Sequence, residues 1–180
     1  VMSTDLLGGT IMRKMQILTD EYLYHKTLNN GLNIYIHPKK DFVDYHAALQ
    51  VGMGGQTIDY RFEDKLYTLP AGCAHFLEHI MFENKGVNIS DLFAEMNADI
   101  NASTSRDVTK YYFSAQEKFE DVLSIFLNHF STIQISDDTI EKEREIIIKE
   151  IKMYEDNMFY QVHDDLIKHM YQDEKIWQDI

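Results

Sequence analysis

The sequence has one cysteine, Cys73, so no disulfide can form within the chain. That suits a reducing compartment. Two prolines and eight glycines are spread over 180 residues without gathering into a linker. There are no internal repeats and no low-complexity stretch, and the length is one domain's worth, enough to bury a real core. Basic residues are scarce, with 17 Lys and Arg against 30 Asp and Glu, a formal net charge of −13. This argues against a nucleic-acid partner, because phosphates require a basic face. It permits cationic peptide substrates if the acids line a site, and it equally serves solubility alone. No apolar run approaches the length of a membrane span. Val1-Met2-Ser3-Thr4-Asp5 also lacks the charged-then-apolar layout of a secretory signal. A cytoplasmic protein without a membrane span is expected.

What the chain does contain is His75-Phe76-Leu77-Glu78-His79. Histidines four apart on a helix lie one above the other on the same face. Two imidazoles so placed can share a zinc ion, with Zn–N distances of about 2.0–2.1 Å. Glu78 sits beside His79 and one turn on from His75, within reach of a water on the same metal. The pattern HxxEH reverses the zincin HExxH and points to a metallopeptidase. The competing reading is a solvated helix face. The apolar flanks Ala74, Phe76, Leu77, Ile80, Met81 and Phe82 weigh against it, since burying a Glu and two His among them is costly unless something binds them. Cys73, two positions before His75, points to another side of the helix and is expected as a small core residue rather than a ligand.

The first twenty residues show no clear period and are expected to form a loose arm. Strands are expected over 22–28 and 33–37, joined by Asn29-Asn30-Gly31, whose residue types tolerate positive φ, and over 45–51, ending in the flexible Gly52-Met53-Gly54-Gly55. Residues 61–68 are charged and read as a loop. Pro70 sits where a helix would begin, and that helix runs to about Phe82. Ser90 is the expected N-cap of a short helix over 91–97. Strands follow over 99–104 and 110–115, then helices over 117–130, from Ser136 or Asp137 to about Glu155, and over 158–171. This order implies an α+β domain, an antiparallel sheet with helices packed on it.

Catalytic zinc commonly takes three protein ligands and leaves one position open. The best candidates for the third lie in Glu141 to Ile151. Glu143 and Glu150 are two turns apart and share a stripe with Ile147 and Tyr154. Glu150 can bind zinc there, and Glu143 can hydrogen-bond a ligand or assist the chemistry. A charged, solvated face suits Glu141, Glu145 and Glu155. Spacing alone leaves the choice among these acids open.

His75 to His79, followed by Ile80-Met81-Phe82, resembles the zinc helix of the pitrilysin, insulysin and mitochondrial processing peptidase family. Leu28-Asn29-Asn30-Gly31-Leu32 resembles that family's opening hairpin. Asn101-Ala102-Ser103-Thr104-Ser105, followed by Tyr111-Tyr112-Phe113, resembles its substrate-facing edge strand and the strand beside it. Glu143-Arg144-Glu145 leading to Lys149 through Asp156 resembles its third-ligand helix, with wording most like the shorter bacterial members. The resemblance spans about residues 22–172. It implies one Zn2+ per chain held by His75, His79 and Glu150, with Glu78 as general base and Glu143 supporting the chemistry from behind the ligands. It also implies that Asn101 and Ala102 pair with the backbone of an extended peptide. Family enzymes close two homologous halves or subunits around a chamber, so a second domain or partner subunit is implied. The zinc-bearing catalytic domain is expected over 21–180, stopping before its last strand. The expected activity is that of a zinc metalloendopeptidase acting on extended or unfolded peptides. A non-catalytic, peptide-holding partner subunit is the alternative, but such a subunit would be expected to lose ligands. A purely structural zinc is weaker still, because closed sites are usually rich in cysteine.

Overall fold

The computed structural model describes residues 2–7 and 10–171. Residues 1, 8 and 9 of the expected arm and 172–180 of the expected domain lie outside the described residues. The chain forms two compact units, Val1–Val43 and Asp44–Ile180.

The first unit is a four-stranded antiparallel sheet of β1 (Met2–Leu7), β2 (Thr10–Leu18), β3 (Glu21–Thr27) and β4 (Asn33–Ile36), in that order. The expectation of a loose arm over the first twenty residues is therefore corrected. β2 pairs on both edges, from Met2↔Met15 to Leu7↔Thr10 on one side and from Arg13↔His25 to Leu18↔Glu21 on the other. Its period is broken by a register shift between Gln16 and Leu18, which hides the alternation a strand would display. Lys14 lies over the Tyr22 ring at 4.1 Å, a cation–π contact that period counting does not register. The β3–β4 connection turns as expected. Leu28 N donates to Leu32 O at 2.8 Å, and Gly31 takes φ +88°, open to glycine at no steric cost.

The second unit contains β5 (Tyr45–Val51), β6 (Asp59–Phe62), β7 (Lys65–Thr68), α1 (Cys73–Phe82), α2 (Ile89–Glu95), β8 (Ala98–Thr104), β9 (Thr109–Ala115), α3 (Phe119–Phe130), α4 (Asp137–Glu155) and α5 (Met158–Met170). A three-stranded antiparallel sheet runs β5-β9-β8. The α+β architecture of antiparallel sheets with packed helices stands.

β9 is the central strand, and its alternation gives one face to the core through Thr109, Tyr111, Phe113 and Ala115. Helices cover that face. Phe113 meets Phe126 at a centroid distance of 5.1 Å and Phe93 at 5.5 Å, and Ile89 and Val122 are fully buried beside them. Such aromatic contacts add to the area each ring removes from water.

Two local expectations are corrected. Residues 61–68 are not a loop but belong to the β6–β7 hairpin, with Tyr60 stacked on Tyr67 at 5.1 Å and Thr68 donating to Asp59 at 2.7 Å. The cap of α2 is Asn88 rather than Ser90: its side-chain oxygen accepts from Ser90 N at 2.8 Å while its amide donates to Glu83 at 2.7 Å. Asn88 makes both bonds at once, and Ser90 already lies inside the helix. Among the described residues, no helix is long and apolar enough to cross a membrane.

Candidate metal centre and active-site cleft

α1 is mostly apolar, and it packs Ala74, Ile80 and Met81 into the interior. The remaining face carries His75, Glu78 and His79 toward α4 and β8. The spacing of four brings the two imidazoles together, with His75 Nε2 and His79 Nε2 3.2 Å apart. From α4, Glu150 Oε2 lies 3.8 Å from His75 Nε2 and 3.5 Å from His79 Nε2. Three ligand atoms around one ion, at bond lengths of about 2.0–2.1 Å and tetrahedral angles, would stand about 3.3–3.4 Å from one another. The three observed separations bracket that value, so the residues fit a zinc ion with shifts of a few tenths of an ångström.

Glu143, two turns before Glu150, is the one buried side chain of α4. Its Oε2 lies 3.3 Å from His79 Nδ1. A carboxylate only accepts hydrogen bonds, so this contact places the His79 proton on Nδ1 and leaves Nε2 with its lone pair directed at the shared point. Glu143 thus stands behind a histidine rather than among the three converging atoms. Tyr154 lies a turn beyond Glu150 on the same helix and also lines the cleft. Desolvation first, then the nearby Glu150 charge, raise the Tyr154 phenol above its usual range.

Glu78 faces the other way across the cleft. Its Oε2 accepts from Thr104 Oγ1 at 2.5 Å. Tyr111, buried beneath, has its phenol pushed well up by burial and then by the Glu78 charge, and it serves as a neutral wall. The mouth of α1 is fastened to α4 by Glu83, which accepts from Lys142 at 2.9 Å. That bond, followed by the one from Asn88, holds the Glu83 carboxyl below its usual range.

His75, Glu78, His79, Glu143 and Glu150 line one cleft of about 1020 Å³, edged on one side by Asn101 to Thr104 of β8 and on the other by Tyr160, His163 and Ile167 of α5. Among the described residues β8 pairs only with β9, which leaves its far edge open to a further strand. Asn101 turns its side-chain oxygen back to the Ala102 N–H at 2.8 Å. Seven residues singled out from the sequence, His75, Glu78, His79, Asn101, Ala102, Glu143 and Glu150, thus meet around the same space. The sequence gives Thr104 and Tyr154 no role. Thr104 meets Glu78 across the fold, although its facing register with Thr109 follows once the β8–β9 hairpin is recognised.

A helical pair presenting two histidines, a carboxylate from a second helix and an acidic side chain beside them defines a zinc-peptidase type of site. The profile of the insulinase family, peptidase family M16, matches residues 65–180, and the chain belongs to that family. The zinc protease YmfH of Bacillus subtilis (strain 168) is 35% identical over 164 residues, covering 89% of this chain and 38% of its own length. The mitochondrial-processing peptidase subunit beta of Saccharomyces cerevisiae is 34% identical over 102 residues, covering 52% of this chain and 22% of that protein. The crystal structure of an M16-like peptidase from Alicyclobacillus acidocaldarius superposes with a TM-score of 0.85 at 28% identity, over 92% of this chain and 39% of that one. The chain therefore spans about two fifths of the length of YmfH and of the Alicyclobacillus acidocaldarius peptidase.

Losing Glu150 should weaken metal binding more than losing Glu143. Glu150→Gln removes a charged oxygen from the converging set, whereas Glu143→Gln leaves all three atoms in place and alters only the partner of His79 Nδ1. Such outer partners typically matter by about 10–100-fold in metal affinity, so the Glu150 variant is expected to lose more than that. Zinc titration against a competing chelator measures the difference, and equal affinities would reverse the ordering.

Proposed function

We propose that this chain is the zinc-bearing catalytic part of a metalloendopeptidase that hydrolyses extended or unfolded peptides. The observation that carries the reading is the convergence of His75, His79 and Glu150 within 4.8 Å of one another, beside Glu78 and an open strand edge. His75 and His79, through Nε2, and Glu150, through its carboxylate, would hold the ion. Bound zinc supplies Lewis acidity toward the scissile carbonyl and toward a water. Glu78 takes the proton of that water and hands it to the leaving amine. Glu143 keeps His79 in the ligating tautomer. The open edge of β8 receives the substrate backbone at Asn101 and Ala102, a pairing that requires extended peptide and reads little of its sequence.

Since the matched proteins are more than twice as long as this chain, a second homologous domain or a partner subunit is proposed to form the facing wall of the cleft. The single cysteine accords with a cytoplasmic setting. Retention of every candidate zinc ligand and of Glu78 favours an enzyme over a peptide-holding subunit. The test is digestion of an unfolded peptide with and without a zinc chelator, followed by zinc add-back. Cleavage that stops and returns supports the reading, and chelator-insensitive cleavage contradicts it.

A further inference from the structure

We infer that Thr104 is the positioning residue for Glu78: its hydroxyl holds one carboxylate oxygen in place so that the other faces the cleft. The inference rests on the reading of Glu78 as the base and adds the device that aims it.

Proton accounting assigns the bond. Thr104 Oγ1 lies 2.5 Å from Glu78 Oε2 and 3.3 Å from Thr109 Oγ1, while Thr109 Oγ1 lies 2.9 Å from Met53 O. A carbonyl and a carboxylate can only accept, and each hydroxyl has one proton to give. The Thr109 proton goes either to Met53 O or to Thr104. A hydroxyl and a carboxylate oxygen 2.5 Å apart need a proton between them, so the Thr104 proton goes to Glu78 rather than to the more distant Thr109. Among the described residues no hydrogen bond reaches Glu78 Oε1, which is left as the oxygen able to accept from a water.

The anchor behind Thr104 is stiff. Threonine is β-branched and restricted at χ1, and Thr104 stands at the root of the β8–β9 turn. That turn is strapped by the loop after β5: Gly55 N donates to Ser105 O at 2.9 Å and Gln56 N to Arg106 O at 2.8 Å. Gly54 approaches so closely that a Cβ there would stand 2.5 Å from Ser105 O and 2.6 Å from Asp107 N. Only glycine permits this contact. Glu78, by contrast, is a flexible side chain whose carboxylate would sample several orientations without a fixed donor.

The test compares Thr104→Val, Thr104→Ser and Glu78→Gln, alone and with Thr104→Val, in the zinc-loaded protein, with the rest of the polypeptide present if the natural chain is longer. Zinc content, kcat and KM are measured for each. Thr104→Val should lower kcat about 10–100-fold, as misplacement of a reacting group does, with KM and zinc affinity unchanged. Thr104→Ser, which keeps the donor, should recover kcat to within about threefold. On a Glu78→Gln background the valine should cost nothing further. If the valine variant does not fold, Thr104→Ala is read by the same criteria. Undiminished kcat in Thr104→Val beside an inactive Glu78→Gln overturns this inference alone. So does a serine variant as impaired as the valine, a parallel loss of zinc, or an added loss on the Glu78→Gln background. An active Glu78→Gln overturns the base assignment and this inference with it.

Discussion

Replacing Glu78 by Gln is expected to leave zinc bound and to reduce kcat about 10²–10⁴-fold, the usual worth of a positioned general base. The amide has nearly the volume of the carboxylate and can still accept from Thr104, so the cleft keeps its shape. What it cannot do is take a proton at neutral pH. Because Glu78 lies outside the trio His75, His79 and Glu150, zinc content should match that of the parent. The measurement is steady-state hydrolysis of an unfolded peptide beside metal analysis. Substantial residual turnover would move the role elsewhere, and Glu143 is poorly placed to take it, being buried against His79 Nδ1.

The second large effect is on stability. Asn84→Ala should lower the melting temperature by about 10–15 °C. Asn84 is wholly buried just past the end of α1. Its amide donates to His129 O at 2.8 Å and to Thr132 O at 2.6 Å, and its oxygen accepts from Gln134 N at 2.8 Å. These bonds tie the end of α1 to the connection between α3 and α4. Alanine leaves three backbone groups without partners, each costing about 1–3 kcal/mol, and a chain of this length loses about 2–4 °C per kcal/mol. Asn84→Asp should be no better, since a carboxylate cannot donate to the two carbonyls. Thermal unfolding followed by circular dichroism decides the matter, and a shift under about 3 °C would show that the loop closes without Asn84.

The same knot is sensitive to acid. His129 Nε2 lies 2.8 Å from Met81 O. Burial, outweighing that bond, depresses the His129 pKa below its ordinary 6.5, with Lys85 adding to the fall. The unfolded chain therefore binds this proton more readily than the folded one. Stability contributed here is intact above the unfolded pKa and declines as pH falls below it, reaching its full loss below the folded pKa. Melting temperatures measured from neutral pH downward should fall through that window, and His129→Gln should flatten the slope.

Much of the site was legible because its chemistry is local. His75, Glu78 and His79 lie within one turn and a residue, and a helix places them with no long-range information. Glu150 and Glu143 were narrower cases. The two-turn spacing put them on one face, but several acids share α4, and only packing against α1 brings one to the histidine Nε2 atoms and the other to Nδ1. β9 declared itself through alternation, being buried on one face. The β6–β7 hairpin did not, because all four residues of β6 are exposed and its turn carries Glu63 and Asp64 at φ 46° and 62°. The turn signal for such angles is Asn or Gly, and Glu-Asp conceals it. Thr104 was unreadable for another reason: its partner lies 26 positions away, and no periodicity links a strand end to a helix face.

Anomalous diffraction at the zinc edge, from crystals of the zinc-loaded protein, should show whether His75, His79 and Glu150 hold one ion. A single strong peak per chain is expected in this cleft, about 2.0–2.2 Å from His75 Nε2, His79 Nε2 and a Glu150 carboxylate oxygen, with Glu143 outside bonding distance. A zinc ion coordinated elsewhere, or bound here through Glu143 in place of Glu150, would contradict it.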